Sequence, residues 1–539
     1  MTQDEREQQP LCEPCNRRRF LGAMLGGAVA VTAGPMLTAR ADASARLASA
    51  GHLAPLARPV TIELFVVESS TEVPAPPSDW FWYKAVKQAL NIDVKIAWGT
   101  EGSQYTPTLQ TRAAANNLPD LFRPDILPLS QLVNQGLVAD WTPYLKHMPH
   151  FVRDHDVKEL APVGTFDGKM YGLTIKNPFP YKTVTVIRKD WLNKLGLKVP
   201  KTLDEYLRVM KAFTEKDPDG NGKADTYGYS AYVNADNSLG GFDPILGAFD
   251  ALGTWRVQNG TLVPLATSTH MEDALKFINK MSQAGVLDPD WTAQKAEDFT
   301  LKWKSGKVGI FSADWCATFC PENYNTGFGK ANSKGVLEII DPPVGPHGQR
   351  SAATYSNVGG IWAMSQGAAN AGKGEAIAKL LEWMDGPGYV LTVFGQEGKN
   401  KGYVRDATGH IVPNTQLPYE RELQMHSYAI KGSTEEWELR YGGTTKQGDG
   451  SVLNVYKDAL LRAQKLPKTD TTRFAPLPPP PADVAADLTR TQNEGVFNLA
   501  AGRTPFSQWN AYVHSLKSAG LDEWVKEATK RARQLGIIT

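Results

Sequence analysis

Between Val60 and Gly136 the sequence alternates β-rich and helical runs, a pattern that few folds accept. Val60–Val67 alternates apolar and polar residues and reads as a strand. Trp80–Leu90 then reads as a helix, Ile92–Trp98 as a second strand and Tyr105–Ala115 as a second helix. Leu118–Phe122 reads as a third, short strand, and Leu129–Gly136 as a helix stopped by its glycine. Strands separated by single helices must run parallel, with the helices as crossovers. The predicted class is therefore α/β. A chain of 539 residues exceeds what one hydrophobic core serves, so two or more domains are expected.

The N-terminus has a separate character. Asn16-Arg17-Arg18-Arg19-Phe20-Leu21 precedes a glycine-rich, weakly apolar run to Leu37, and Ala41-Asp42-Ala43 supplies small residues where a signal peptidase cuts. The paired arginines followed by Phe-Leu resemble a twin-arginine export signal. Residues 1–43 are predicted to be a signal peptide, which places the mature protein outside the cytoplasm: extracellular, cell-surface-associated or periplasmic. The alternative, a retained anchor, is disfavoured because a span needs about 20 strongly apolar residues. Cys12 and Cys15 leave with the leader, so only Cys316 and Cys320 stay in the mature protein. On a helix that spacing puts the β-carbons about 5–6 Å apart, wider than a relaxed disulfide. The pair is either bridged or two buried thiols. The net charge of +1 without a basic stripe excludes a nucleic-acid binder. Fourteen Trp and eighteen Tyr serve either a large core or a sugar site, where flat rings stack.

Further along, Val184–Arg188 reads as a strand and Asp190–Leu195 as a helix closed by Gly196. Thr202 and Glu205 form a capping box that opens a helix with Leu203, Tyr206, Leu207, Met210 and Phe213 on one face. That helix leads into Lys216–Gly228. There Asp217, Asp219, Asn221 and Asp225 offer side-chain oxygens, Lys223 its carbonyl, and Gly222 holds the sixth position, the pattern of a calcium loop. Gly228 takes the twelfth position, where a regulatory loop has a bidentate glutamate, so a structural Ca2+ is expected rather than a sensor. The competing reading is a solvated Asp/Asn/Gly turn. His147, His150 and His155 are spaced irregularly and are expected on the surface. No zinc-protease, nucleophile-elbow or phosphate-loop motif occurs. Trp315 follows the strand Gly306–Phe311 and a turn. In open α/β sheets ligands bind beyond strand ends, so Trp315 is a candidate to stack on a sugar, with a core tryptophan as the alternative. Trp80, Trp82, Trp98, Trp255 and Trp362 are expected in the core. Lys176, Lys182 and Arg188 cluster in sequence and suit either an acidic sugar or a solvated face.

Several motifs then run in a familiar order: Asp167-Gly168-Lys169-Met170-Tyr171-Gly172, Arg188 to Gly196, Pro200 to Glu205, Asp217 to Gly222, Gly306 to Ile310, and Phe394 to Gly398. Together they resemble the extracellular solute-binding proteins of ABC importers, in the carbohydrate-binding group that includes maltose-binding protein. The branch that looks most alike binds alginate oligosaccharides and carries calcium in the corresponding loop. The resemblance implies a two-lobed, type II periplasmic-binding-protein-like α/β fold with a hinge and an interlobe cleft. It assigns 60–175 plus about 357–425 to the N-terminal lobe and 176–350 plus about 426–539 to the C-terminal lobe. It implies ligand contacts from Glu68 and Ser69 after the first strand, Arg123 and Asp125 after the third, Asn177 and Tyr355 near the crossings, and Phe242 and Trp315 in the second lobe. Thr226 matches a further calcium position, acidic in that branch. The implied function is capture of an oligosaccharide and delivery to the importer's membrane subunits, by a monomer without catalysis. The alternative is an exported polysaccharide lyase or glycoside hydrolase. The cysteine that lipid-anchors many relatives is absent, and the Cys316/Cys320 pair is not a feature of the family.

Overall fold

The computed structural model describes residues 53–67, 76–99, 105–177, 183–353, 358–399, 401–405, 409, 411–413, 443–463, 465, 477–481, 483–534 and 536–538. The expected signal peptide, Glu68, Ser69, Lys182 and Tyr355 lie outside them. The chain divides into two compact units, 1–178 with 358–436 and 179–357 with 437–539. The main strands, in chain order, are β1 (Val60–Val67), β2 (Ile92–Gly99), β3 (Leu121–Phe122), β4 (Leu173–Lys176), β5 (Thr183–Arg188), β6 (Tyr227–Tyr229), β7 (Val308–Asp314), β8 (Leu337–Ile340) and β9 (Val358–Met364). Four helices matter most: α1 (Phe81–Leu90), α2 (Leu203–Glu215), α3 (Trp315–Phe319) and α4 (Gly374–Asp385).

The first unit holds a five-stranded sheet in the order β2-β1-β3-β9-β4. β1 runs parallel to β2, from Val60 opposite Ile92 to Val67 opposite Gly99, and parallel to β3 at Leu64 and Leu121. β9 is antiparallel to both β3 and β4. Alternation along β1 sends Ile62, Leu64 and Val66 into a core with Trp80, Trp82 and Trp141, while Phe65 joins Tyr105, Leu109 and Phe122 on the other face. A sheet covered on both faces is what parallel pairing requires. The helix after β3 spans Ile126–Asn134, three residues earlier than its sequence suggests.

The second unit holds the sheet β8-β5-β7-β6. β5 is antiparallel to β7 and β8, and β6 is parallel to β7. The capping box of α2 forms as expected. The Glu205 amide donates to Thr202 Oγ1 at 3.3 Å, and Glu205 Oε2 accepts from the Thr202 and Lys201 amides at 3.2 and 2.7 Å. The apolar face of α2 packs with Trp191, Phe242 and Ile310, and the same core takes Phe497, Leu516 and Trp524 from the C-terminal helices Ala485–Ala500, Trp509–Ser518 and Leu521–Gln534. Among the described residues no helix is long and apolar enough to cross a membrane.

Candidate functional site

In the first unit, Arg123 leaves the end of β3 half-buried. Its amide donates to Tyr105 Oη at 3.1 Å, and the Tyr105 ring stacks on Phe65 at 4.6 Å between centroids. Its Nη2 donates to the Gly359 carbonyl at 2.8 Å, and the guanidinium lies 5.5 Å from the centre of the Trp362 ring. A Cβ at Gly360 would sit 1.8 Å from that Nη2, so a larger residue there would displace the guanidinium. Arg123 thus couples β3 to β9 and carries its charge at the strand ends. Asp125 is exposed and opens the helix Ile126–Asn134, and Asn177 is buried just after β4.

The three histidines do not form a surface group. His155 is fully buried. Its Nδ1 accepts from the Lys176 amide at 3.0 Å, so its Nε2 carries the proton and faces Asp385 Oδ1 at 3.1 Å. The buried Glu382 carboxylate accepts from the His150 and Phe151 amides at 3.1 Å and meets the His150 ring. Both acids come from α4, so these contacts fasten it to residues 149–155. Lys176 pairs with Asp156.

In the second unit, the structure corrects two expectations. Phe242 is fully buried in the core, near-parallel to Tyr229 with centroids 6.0 Å apart and edge-on to Trp291 at 5.1 Å. It is a packing residue and offers no face to a ligand. Arg188 is 4 % exposed. It donates to both Asp190 oxygens at 2.9 and 2.6 Å and to the Gly306 carbonyl at 2.6 Å, and it lies over Trp191 at 4.3 Å. Arg188 and Lys176 are thus each paired with an aspartate, and Lys182, the third member of the basic cluster in the sequence, lies outside the described residues.

Trp315 follows β7 directly and opens α3. Asp314 caps that helix, accepting from the Cys316 and Ala317 amides at 2.9 and 2.8 Å. Trp315 is 5 % exposed in this conformation. Cys316 and Cys320 are joined by a disulfide with 4.7 Å between their Cα atoms. The two cysteines are not at helical spacing, because α3 ends at Phe319 and Cys320 is extended, with ψ of 133°.

The loop after α2 is folded around its own acids. Asp217 Oδ1 accepts from the Gly220 and Asn221 amides at 3.0 and 3.1 Å, and Oδ2 from Gly222 at 3.1 Å. These bonds, that from Gly222 first, hold its carboxyl below the ordinary aspartate value. Asn221 Nδ2 donates to Asp219 Oδ2 at 2.8 Å and to Asp225 Oδ1 at 3.0 Å, so two carboxylates converge on one point. Desolvation within the loop raises the Asp219 carboxyl, helped by its two acidic neighbours, whereas the Asn221 amide lowers Asp225. Asp225 also lies 3.4 Å from Lys307 Nζ. Thr226 is directed elsewhere: its buried hydroxyl donates to the Phe213 carbonyl at 2.8 Å. Among the described residues no three His, Cys, Asp or Glu side chains are grouped to hold a metal. The two convergent carboxylates fit a cation in their charge and oxygen donors; Asn221, which turns its Nδ2 toward them and its Oδ1 to the Lys223 amide, and Thr226 as placed do not.

The chain is thus two α/β units built on these sheets, each interrupted by the other in sequence. Residues 82–391, over half of the chain, match the bacterial extracellular solute-binding proteins, and the chain belongs to that family. It is 24 % identical to the polygalacturonan/rhamnogalacturonan-binding protein YtcQ of Bacillus subtilis, over 85 % of this chain and 89 % of that one. Solved structures share the fold. A solute-binding protein associated with an HMO-binding ABC transporter of Bifidobacterium longum infantis has a TM-score of 0.62 and 21 % identity, covering 88 % of this chain and 99 % of its own. An EF-hand mutant of the Streptococcus pneumoniae substrate-binding protein FusA, in complex with fructo-nystose, has 0.58 and 18 %, with 88 % and 99 % covered. The alginate-binding protein AlgQ2, solved without calcium ion, has 0.58 and 18 %, with 88 % and 98 % covered.

Proposed function

We propose that this protein captures an oligosaccharide outside the cytoplasm and delivers it to the membrane subunits of an ABC importer, without transforming it. The observation that carries this reading is family membership, joined by similarity over most of the chain to a polygalacturonan/rhamnogalacturonan-binding protein. Export through residues 1–43 by the twin-arginine route and action as a monomer belong to the same proposal. So does the division of the lobes at the points where the chain passes from one compact unit to the other.

Ligand contacts are proposed for the loops after β1 (Glu68, Ser69), for Arg123 and Asp125 after β3, for Asn177 and Tyr355 near the crossings, and for Trp315 after β7. Arg123, half-buried at the end of β3, is proposed to meet a uronate carboxylate of the ligand. Stacking on Trp315 requires a rearrangement that uncovers one face of the ring. A calcium ion is proposed to sit among Asp217, Asp219, Asn221 and Asp225 with the Lys223 carbonyl. It would neutralise acids that otherwise repel and brace the end of α2.

A thermal-shift and calorimetric screen tests the reading. The panel holds oligogalacturonides, alginate oligosaccharides and fructo-oligosaccharides. Saturable binding at one ligand per chain with the sugar recovered intact is expected. Shortened or unsaturated products accumulating over many turnovers would instead establish a lyase or hydrolase.

A further inference from the structure

We propose that the Cys316–Cys320 disulfide positions the Trp315 ring, so that ligand binding belongs to the disulfide form of the protein. This rests on the reading of Trp315 as a ligand contact, but its structural half is tested without any ligand.

α3 has five residues, far below the length at which a helix is stable alone in water. Hydrogen bonds from within the turn and from beyond it restrain its backbone. The Asp314 carboxylate takes two amides, the Thr318 hydroxyl donates to the Asp314 carbonyl at 2.8 Å, and the Cys320 amide donates to the Cys316 carbonyl at 3.0 Å. From beyond the turn, Asn323 Nδ2 donates to the Cys316 carbonyl at 3.0 Å and Thr445 Oγ1 to that of Phe319 at 2.7 Å.

The sequence Cys-x-x-x-Cys-Pro explains how a bridge fits. Proline disfavours the helical region for the residue before it, and Pro321 follows Cys320. Cys320 accordingly leaves the helix with φ of −59° and ψ of 133°. That exit brings the two Cα atoms to 4.7 Å, inside the range a disulfide spans and shorter than the about 6 Å of helical i, i+4 positions. The bond therefore ties the first turn of α3, one residue from Trp315, to the start of the helix Pro321–Thr326. Both cysteines are buried. The Trp315 backbone is thus held between β7 on one side and a covalent loop on the other.

The test uses the mature protein labelled with 5-fluorotryptophan, with the Trp315 fluorine resonance assigned by its disappearance in W315F. In the disulfide form that resonance is expected to be single and sharp. In C316A/C320A it is expected to move or broaden, while resonances of tryptophans in the first unit, such as Trp82 and Trp141, stay in place. Wild-type protein reduced with dithiothreitol gives the same comparison should the variant fold poorly. The reagent closes to its cyclic disulfide as the Cys316–Cys320 bond takes up two electrons and two protons. Affinity for trigalacturonate is expected to fall at least ten-fold in the same samples. A Trp315 resonance unchanged while the melting temperature drops would show a stability staple with no positioning role and would overturn the proposal. An altered resonance with unchanged trigalacturonate affinity would overturn its functional half. Wild type that binds no sugar of the panel would refute the oligosaccharide reading and leave the resonance comparison standing as the test of positioning.

Discussion

Replacing Arg188 with alanine separates the two roles its sequence position permits. In the structure the side chain closes a cage in the second unit: a two-point ion pair with Asp190, a bond to the Gly306 carbonyl 118 residues away, and a stack on Trp191. Removing one partner of a buried ion pair costs about 3–5 kcal/mol. The lost cation–π contact contributes about 0.5–2 kcal/mol more, and solvent access to Asp190 offsets part of the sum, leaving roughly 4 kcal/mol. With an m-value of about 3 kcal/mol/M, the urea midpoint of the second unit should drop by roughly 1 M. R188K should recover little, because an ammonium cannot reproduce the planar two-point geometry. Sugar affinity measured well below the new midpoint should be unchanged. A variant of near-normal stability that has lost affinity for acidic oligosaccharides would refute this account and return Arg188 to the ligand site.

Three further outcomes follow from the same structure. Calcium should raise the melting temperature of the chelator-treated protein, and D219N should abolish the rise. Because Asp219 is raised in the folded loop, its proton is held more tightly there than in the unfolded chain. That contribution is present below the unfolded value and lost as pH rises through the folded one. A cation competes with the same proton, so the calcium-induced shift should shrink from pH 7 to about pH 4; an undiminished shift there would contradict the assignment. F242A should cost about 3–5 kcal/mol by denaturant unfolding, as a core ring does, with affinity intact in the protein that remains folded. T202A should cost about 1 kcal/mol through loss of the α2 cap, and stability should fall on acidification as the lowered Glu205 protonates, since that contribution is present above the unfolded value.

What the sequence discloses is what local chemistry decides. The alternation over 60–136 encodes the parallel half of the first sheet, and Thr202 with Glu205 encodes the start of α2, because both patterns are complete within a few residues. The loop acids are legible for the same reason. Arg188, His155 and Phe242 are not, because their partners are distant in the chain: Gly306 for the arginine, Asp385 for the histidine, Trp291 for the phenylalanine. The cysteine pair was legible in principle. Its spacing argues against a bridge only on a continuous helix, and Pro321 carried the signal that the helix stops.

The place of β9 has a consequence for how such a chain can be made. It lies between β3 and β4 in the first sheet, yet Val358 is separated from Lys176 by the first segment of the second unit, residues 179–357. As the chain emerges during synthesis, β1, β2 and β3 can pair at once, but β4 has no neighbour until Met364 has been translated. The second unit likewise waits for its C-terminal helices before its core can close. Long loops must be closed before those contacts reward it. The first sheet therefore keeps an open edge until β9 is made, the second core stays open until its C-terminal helices follow, and a chain cut short before β9 is exposed at both cores at once.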